Sequence, residues 1–583
     1  HIYQTRWMFL PVDQHKVIHV ASGLVFVFLS SLAIKRKHAI INNFFSILFS
    51  ILAIFLSAYI VLNYHDIVTK LGVPDRFDVI VGGILVLLVL EGTRRAWGPI
   101  IPTIVILSLS YGYFGAHLPG ILFHGGIKIE RLIAYSSIYF QGIYGSLTGA
   151  GAMEVFMFIL YGCILEAAGG IEFFMKIANR LGGKLRSGPA QSAVLGSAFM
   201  GTISGSVAAN VATTGKITIP LMIKNGYNKE LAGAVEAVAS TGGQLMPPVM
   251  GVVAFIMAST TNNHYFQICK TALFPALLFY LYLAFTIQIR AERKNLSNPQ
   301  KYLDNDLWGA LKKDGYLLLS LFVLIYCLAI YLPPAVAAYN AIISIFILFA
   351  IKTMFIKRKF KTFIKDITKF IVHSLSSGAK QATKLGLILA CLGIMVELFV
   401  VTGFAQKISF QMIELAGGNL LLMLGLIAIT CILFGMGMPT VGTYMVVSVL
   451  SAPALVKLGI PLLAAHMFVF YYGLMAMVTP PVGVGVIVAT GITEGNYFKT
   501  AFDATKLALP GFILPLFFIF RPEILWIDVS MFEAFLTFVY LLAGLMCLAS
   551  IFERYFLNKL SFYEIIFLVI LCYLLLLPGS ITS

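Results

Sequence analysis

Apolar runs of about 20 residues, the length an α-helix needs to cross a roughly 30 Å hydrocarbon core, recur along the whole chain between short polar segments. The pattern predicts spans near 17–34, 44–62, 79–93, 97–115 and 146–168 in the first part. Further spans are predicted near 265–289, 316–331, 335–351, 386–402, 500–519, 531–550 and 561–578. Two stretches are amphipathic instead. In Glu172–Leu185, Phe173, Phe174, Ile177 and Leu181 share one side, with Lys176, Arg180 and Lys184 elsewhere; a basic segment at about 361–384 is similar. Both predict helices lying at the membrane surface, because each Lys or Arg at the bilayer centre costs about 2.5–3.5 kcal/mol. No strand alternation and no long linker interrupts this pattern, so the expected fold is an all-α multi-pass membrane protein.

Composition agrees: 59% of the 583 residues are hydrophobic and 11% charged, which excludes a soluble enzyme or nucleic-acid binder. The net charge of +16 sits in clusters between spans, such as Lys35-Arg36-Lys37 and Arg94-Arg95, and reports cytoplasmic loops by the positive-inside rule. Those two clusters place residue 1 outside the cytoplasm. The chain begins on His1 without a signal pattern, so one more transmembrane helix is expected upstream. The seven cysteines are scattered singly, which predicts neither disulfides nor a thiolate metal site.

Two regions do not read as simple spans. The first, Gly196–Ala258, contains Gly201-Thr-Ile-Ser-Gly-Ser206 and Ser240-Thr-Gly-Gly-Gln-Leu-Met-Pro-Pro248. The second, Ala428–Thr490, contains Gly435-Met-Gly-Met-Pro-Thr440 and Val478-Thr-Pro-Pro481. A proline pair deletes two backbone donors and glycine weakens the helix beside it. Bare backbone at bilayer depth survives only where protein buries it or it lines an aqueous site. At an offset of 233, Pro220, Lys224, Gly226, Pro247, Pro248 and Val249 fall on Pro453, Lys457, Gly459, Pro480, Pro481 and Val482. Five passes separate the copies, so the second is expected to be inverted, the signature of a secondary transporter with a midplane site.

The stretches Ile203–Gly215, Glu236–Gly251, Gly435–Thr440, Ala465–Gly473 and Thr479–Pro481 closely resemble the large membrane subunit of tripartite ATP-independent periplasmic (TRAP) transporters. The resemblance is nearest to the fused small-plus-large subunit that works with TAXI-type binding proteins. It implies small-subunit-like helices with a connecting helix over 1–115 and a large transport subunit over 116–583. The repeats would lie at about 146–290 and 386–520, with C-terminal helices at 531–578. Further implications are location in the bacterial cytoplasmic membrane, an elevator mechanism with two re-entrant hairpins, and sodium-coupled import of small organic acids. The TAXI likeness suggests a glutamate- or 2-oxoglutarate-like acid, delivered by an extracytoplasmic solute-binding protein. That protein would dock near 63–78, 262–264, 404–419 and 521–530.

The residues themselves favour sodium over protons, because the spans lack an Asp/Glu/His chain while the broken regions offer hydroxyls and carbonyls, hard oxygen ligands. Unwinding before Pro247-Pro248 aims the carbonyls of Gly243, Leu245 and Pro248 at a first cation, closed by Ser204; sodium sites of the family are similar in kind. The offset assigns Ala476, Val478, Pro481 and Gly437 to a second site. Ser206, Asn210, Thr214, Thr440 and Thr443 are candidate substrate donors, since helix N-termini favour a carboxylate. Glu236 reads equally as supporting this site or as a hydrogen-bonded structural residue. His117, His264 and His466 lack partners at metal-ligand spacing and read as structural. Glycines 145, 149, 151, 169 and 170 read as helix-packing positions. A stand-alone symporter needing no binding protein is the competing transport reading. An intramembrane enzyme is disfavoured by the absence of HExxH, GxSxG or paired carboxylates at helical spacing.

Overall fold

The computed structural model describes residues 1–33, 39–70, 73–183, 185–203, 205–296, 307–356 and 360–576. Four long helices open the chain: α1 (Val12–Ser30), α2 (Ala39–Leu62), α3 (Arg76–Trp97) and α4 (Ile100–Phe114). Then follow α5 (Phe156–Ala167), α6 (Gly170–Gly182), α7 (Gly188–Gly201), α8 (Val207–Lys224), α9 (Lys229–Gly242), α10 (Val252–Thr261) and α11 (Tyr265–Arg293). Two connecting helices are α12 (Tyr316–Ala329) and α13 (Pro334–Ile356). The series resumes with α14 (Phe360–Val401), α15 (Phe404–Leu415), α16 (Leu420–Gly435), α17 (Thr440–Lys457), α18 (Leu462–Met475), α19 (Val484–Thr493), α20 (Tyr497–Leu507) and α21 (Leu509–Phe520). It closes with α22 (Met531–Glu553) and α23 (Phe562–Leu576). Ten of the described helical segments are long and apolar enough to cross a membrane. Among the described residues the only bridge outside helices is an isolated one between Tyr555 and Lys559.

The internal repeat extends through whole elements. Helices α8 and α9 begin and end 233 residues before α17 and α18, at 207–224 against 440–457 and 229–242 against 462–475. Past the proline pairs the offset shortens by one, with α10 at 252–261 against α19 at 484–493. Each first helix of these pairs carries an internal proline, Pro220 or Pro453. Each is followed by a left-handed glycine, Gly226 (φ 91°) or Gly459 (φ 86°), a conformation that a Cβ would strain. Both proline pairs contain a cis peptide bond.

The chain divides into two compact units. One comprises His1–Ile164, Leu332–Met423 and Val441–Ala454. Its spine is α14, which fuses the expected surface segment at 361–384 with the span at 386–402 into one helix of 42 residues. Nothing in 385–386 stops a helix: neither residue is a proline, and Gly386 is tolerated because it faces a crowded neighbour. A Cβ there would stand 2.3 Å from the His19 Nε2. The indole of Trp97 and the hydroxyl of Thr93, both on α3, bond to carbonyls of α14 at Lys384 (2.8 Å) and Leu387 (3.3 Å).

The other unit comprises Leu165–Tyr331, Leu424–Thr440 and Leu455–Ser583. Here α6 packs on α7, burying Phe173, Phe174, Met175 and Ala178; of the apolar side expected from the sequence, Phe173 and Phe174 are buried, whereas Ile177 is half-buried and Leu181 exposed, because the packed side is turned toward Met175 and Ala178. Every residue of α9 from Leu231 to Gly242, and of α18 from Leu463 to Met475, is buried. Helix α19 lies against α8 and α9, and α20 against α9, close enough that a Cβ on Gly233 would stand 3.1 Å from Thr500 and 3.3 Å from Thr493. At the end of α11, Arg290 and Arg293 grip the buried Glu553 carboxylate on α22, Arg293 at 3.2 Å.

Candidate functional site

Helix α9 stops at Gly242 because the next residues have lost the means to continue it. One 3-10 turn, Gly243–Leu245, follows, and the backbone is irregular from Met246 to Gly251. Pro247 and Pro248 supply no N–H, so carbonyls upstream of them lose their helical donors. The backbone bonds that remain are local: the Met246 N–H donates to the Gly243 carbonyl at 3.3 Å. In the second copy the irregular stretch runs from Ala476 to Gly483, and the Gly485 N–H turns back to the Met477 carbonyl at 2.9 Å. Both irregular stretches lie in the same compact unit.

A tyrosine holds each break. Tyr265, the first residue of α11, donates its phenol proton to the carbonyls of Pro248 and Val249, 2.8 Å from each, while its ring stacks on Phe255 at 4.1 Å. Tyr497, the first residue of α20, donates to the Pro481 carbonyl at 2.9 Å. Tyr265 is buried and Tyr497 half-buried. Neither was singled out by sequence; the available signal was a tyrosine 17 or 16 residues after the second proline of each pair.

The turn before α8 reaches the first break through glycine contacts. Gly205 packs on Met250 and Gly251, and the Gln244 side-chain amide donates to the Gly205 carbonyl at 2.6 Å. Ser204 lies outside the described residues. Ser206 is the exposed N-cap of α8, accepting from the Ala209 N–H at 3.3 Å. Asn210 is buried one turn further on and donates to the Ser197 carbonyl at 3.1 Å, beside Gly243. Thus Gly243, Asn210 and the turn residues Gly205 and Ser206 belong to one neighbourhood. Leu245 is fully buried within it.

Thr214 serves a different partner. It donates to the Glu236 carboxylate, as do Thr218 at 2.5 Å, Ser240 at 3.1 Å and Ser197 at 3.2 Å. Glu236 has no exposed surface, and its four hydroxyl donors come from α7, α8 and α9. This cluster binds three helices together directly behind Asn210. Ser197, Thr218 and Ser240 were not anticipated; Ser240 sits one turn after Glu236 on α9, whereas Ser197 and Thr218 come from other helices, a meeting invisible along the chain.

In the second copy, Gly437 is exposed in the turn between α16 and α17, where Thr440 is the first helical residue and Thr443 follows one turn later, both buried. Ala476 and Val478 are buried at the end of α18, and Pro481 is exposed.

An all-helical chain with ten candidate spans and two repeated breaks at proline pairs has the architecture of a multi-pass membrane transporter. Residues 84–529 match the family described as tripartite ATP-independent periplasmic transporter, DctM component, and the chain belongs to that family. It is similar to the C4-dicarboxylate TRAP transporter large permease protein DctM of Vibrio cholerae, 26% identical over 69% of this chain and 93% of that protein. It is 20% identical to the 2,3-diketo-L-gulonate TRAP transporter large permease protein YiaN of Escherichia coli, over 63% of this chain and 84% of that one. The isethionate TRAP transporter permease protein DctMQ of Oleidesulfovibrio alaskensis is 22% identical over 69% of this chain and 62% of its own length. Family members are membrane transporters rather than enzymes, are multi-pass proteins of the bacterial inner membrane, and work with an extracytoplasmic solute-binding protein.

Proposed function

We propose that this chain imports small organic acids, coupled to sodium entry, and receives its substrate from a TAXI-type extracytoplasmic binding protein. The observation that carries the reading is the repeated break: each copy leaves its helix at a proline pair, where backbone carbonyls lose their helical N–H donors and become oxygen ligands of the kind a hard cation takes. In this reading Gly243, Leu245, Pro248 and Ser204 hold one sodium, and Ala476, Val478, Pro481 and Gly437 another. Ser206, Asn210, Thr214, Thr440 and Thr443 are the polar groups of the substrate pocket. Of these, Thr214 spends its one hydroxyl proton on Glu236, so it faces a substrate with its oxygen as an acceptor only. The relatives named above carry organic anions, which supports an acidic substrate. The helices of residues 1–115, most of which precede the family match at 84–529, serve as the fused small subunit with its connecting helix. The two repeats are inverted in the membrane and move as an elevator against that scaffold.

Reconstitution in liposomes tests this. Uptake of radiolabelled glutamate, 2-oxoglutarate or C4-dicarboxylates is expected only with an inward sodium gradient and the binding protein present. Uptake with sodium alone would establish the stand-alone symporter, and uptake driven by a proton gradient without sodium would overturn the coupling.

A further inference from the structure

The first break contains an oxygen that takes no hydrogen bond from the described residues. Gln244 is 7% exposed and sits in the middle of the Gly243–Leu245 turn. Its Nε2 donates to the Gly205 carbonyl at 2.6 Å, which fixes the amide: a flipped side chain would set oxygen against oxygen. The Oε1 therefore points away from Gly205, buried and without a hydrogen-bond partner among the described residues. Glycines crowd the side chain. The Gln244 Cδ would stand 3.4 Å from a Cβ on Gly251, and a Cβ on Gly205 would stand 2.7 Å from the Met250 carbonyl. The amide is thus held in place at both the backbone and the side-chain end.

A buried acceptor without a donor is costly, and its chemistry states what it awaits. A neutral carbonyl oxygen repels a carboxylate and suits a hard cation. We infer that Gln244 Oε1 is a side-chain ligand of the first cation site, added to the carbonyls of Gly243 and Leu245 on the same turn. The inference rests on the sodium reading above. The second repeat has no counterpart: position 477 is Met477, whose thioether is a poor ligand for sodium. The two sites therefore differ, the first carrying an oxygen the second lacks.

Binding of radioactive sodium to the full chain in lipid nanodiscs tests this without a substrate. Gln244→Met removes the oxygen while keeping length, and is expected to raise the half-saturating sodium of one site about tenfold, or 1.4 kcal/mol. Gln244→Glu keeps an oxygen at the same reach but loses the bond to Gly205, and is expected to bind sodium at least as tightly as wild type. Equal binding by Gln244→Met and wild type overturns the assignment. So does equal weakening of both variants, which would make the Gly205 bond the residue's role. If Gln244→Met fails a melting check, Gln244→Glu against wild type decides: retained affinity supports the ligand and lost affinity overturns it. Absence of any sodium binding by wild type would instead overturn the sodium reading, and the ligand assignment with it.

Discussion

Gly201, the last residue of α7, meets Gly243 backbone to backbone: a Cβ on Gly201 would stand 2.3 Å from the Gly243 Cα and 2.4 Å from its carbonyl oxygen. Neither atom belongs to a side chain that could swing away. Gly201→Ala is therefore expected to push the 243–245 turn aside and abolish uptake while costing about 1–3 kcal/mol of stability, in the usual range for overpacking. Uptake assays beside thermal unfolding check both, and an active Gly201→Ala protein would refute the close approach.

Glu236 separates two readings of a buried carboxylate. Its hydroxyl donors rotate freely and can accept as well as donate. Glu236→Gln is expected to fold with a small drop in melting temperature, whereas Glu236→Ala leaves buried hydroxyls facing a void and costs about 2–3 kcal/mol. If Gln and Ala variants melt alike, the cluster does not hold α7, α8 and α9 together.

The two tyrosines predict unequal losses. Tyr265→Phe removes a buried hydroxyl shared by two carbonyls, and Tyr497→Phe removes a half-buried one bonded to a single carbonyl. At about 1 kcal/mol per net hydrogen bond, the first is expected to destabilise more than the second, because its one proton serves two buried carbonyls that no solvent can reach, whereas the exposed Pro481 can turn to solvent. Differential scanning calorimetry of the two variants provides the comparison.

Glu553 lies between Arg290 and Arg293, and its side chain is 4% exposed. Glu553→Gln leaves Arg290, whose side chain is 12% exposed, without its counter-charge and is expected to cost on the order of 3 kcal/mol. Adding Arg290→Met should recover part of that loss, which chemical denaturation of the single and double variants would reveal.

Topology is checked at Lys369, an exposed residue in the first half of α14. Six of the seven native cysteines are buried, so the background is low. A cysteine at Lys369 is expected to react with an impermeant maleimide only from the cytoplasmic side; labelling from outside would reverse the orientation.

The repeat was legible because prolines and glycines act locally: Pro220 and Pro453, or Gly226 and Gly459, impose the same backbone wherever they occur, so register survives although side chains have diverged. Ser197, Thr214 and Thr218 as partners of Glu236 were not legible, since they come from other helices, nor were the two tyrosines, whose bonds reach back 16 or 17 residues into irregular backbone. The boundary inside α14 was misread for another reason. Charge at Lys365–Lys384 marks where a helix leaves the hydrocarbon, but nothing about charge ends a helix, and neither Gly386 nor any residue around it breaks this one.

That uninterrupted helix has a practical consequence. Forty-two residues at 1.5 Å each make about 63 Å, twice the hydrocarbon thickness of about 30 Å. If α14 crosses the hydrocarbon once, about half of its length is left for the expected surface segment at 361–384. For particle alignment in electron microscopy it is a rigid landmark already built into the chain, and an antibody fragment raised against the Lys365–Lys384 surface would bind a rod rather than a loop.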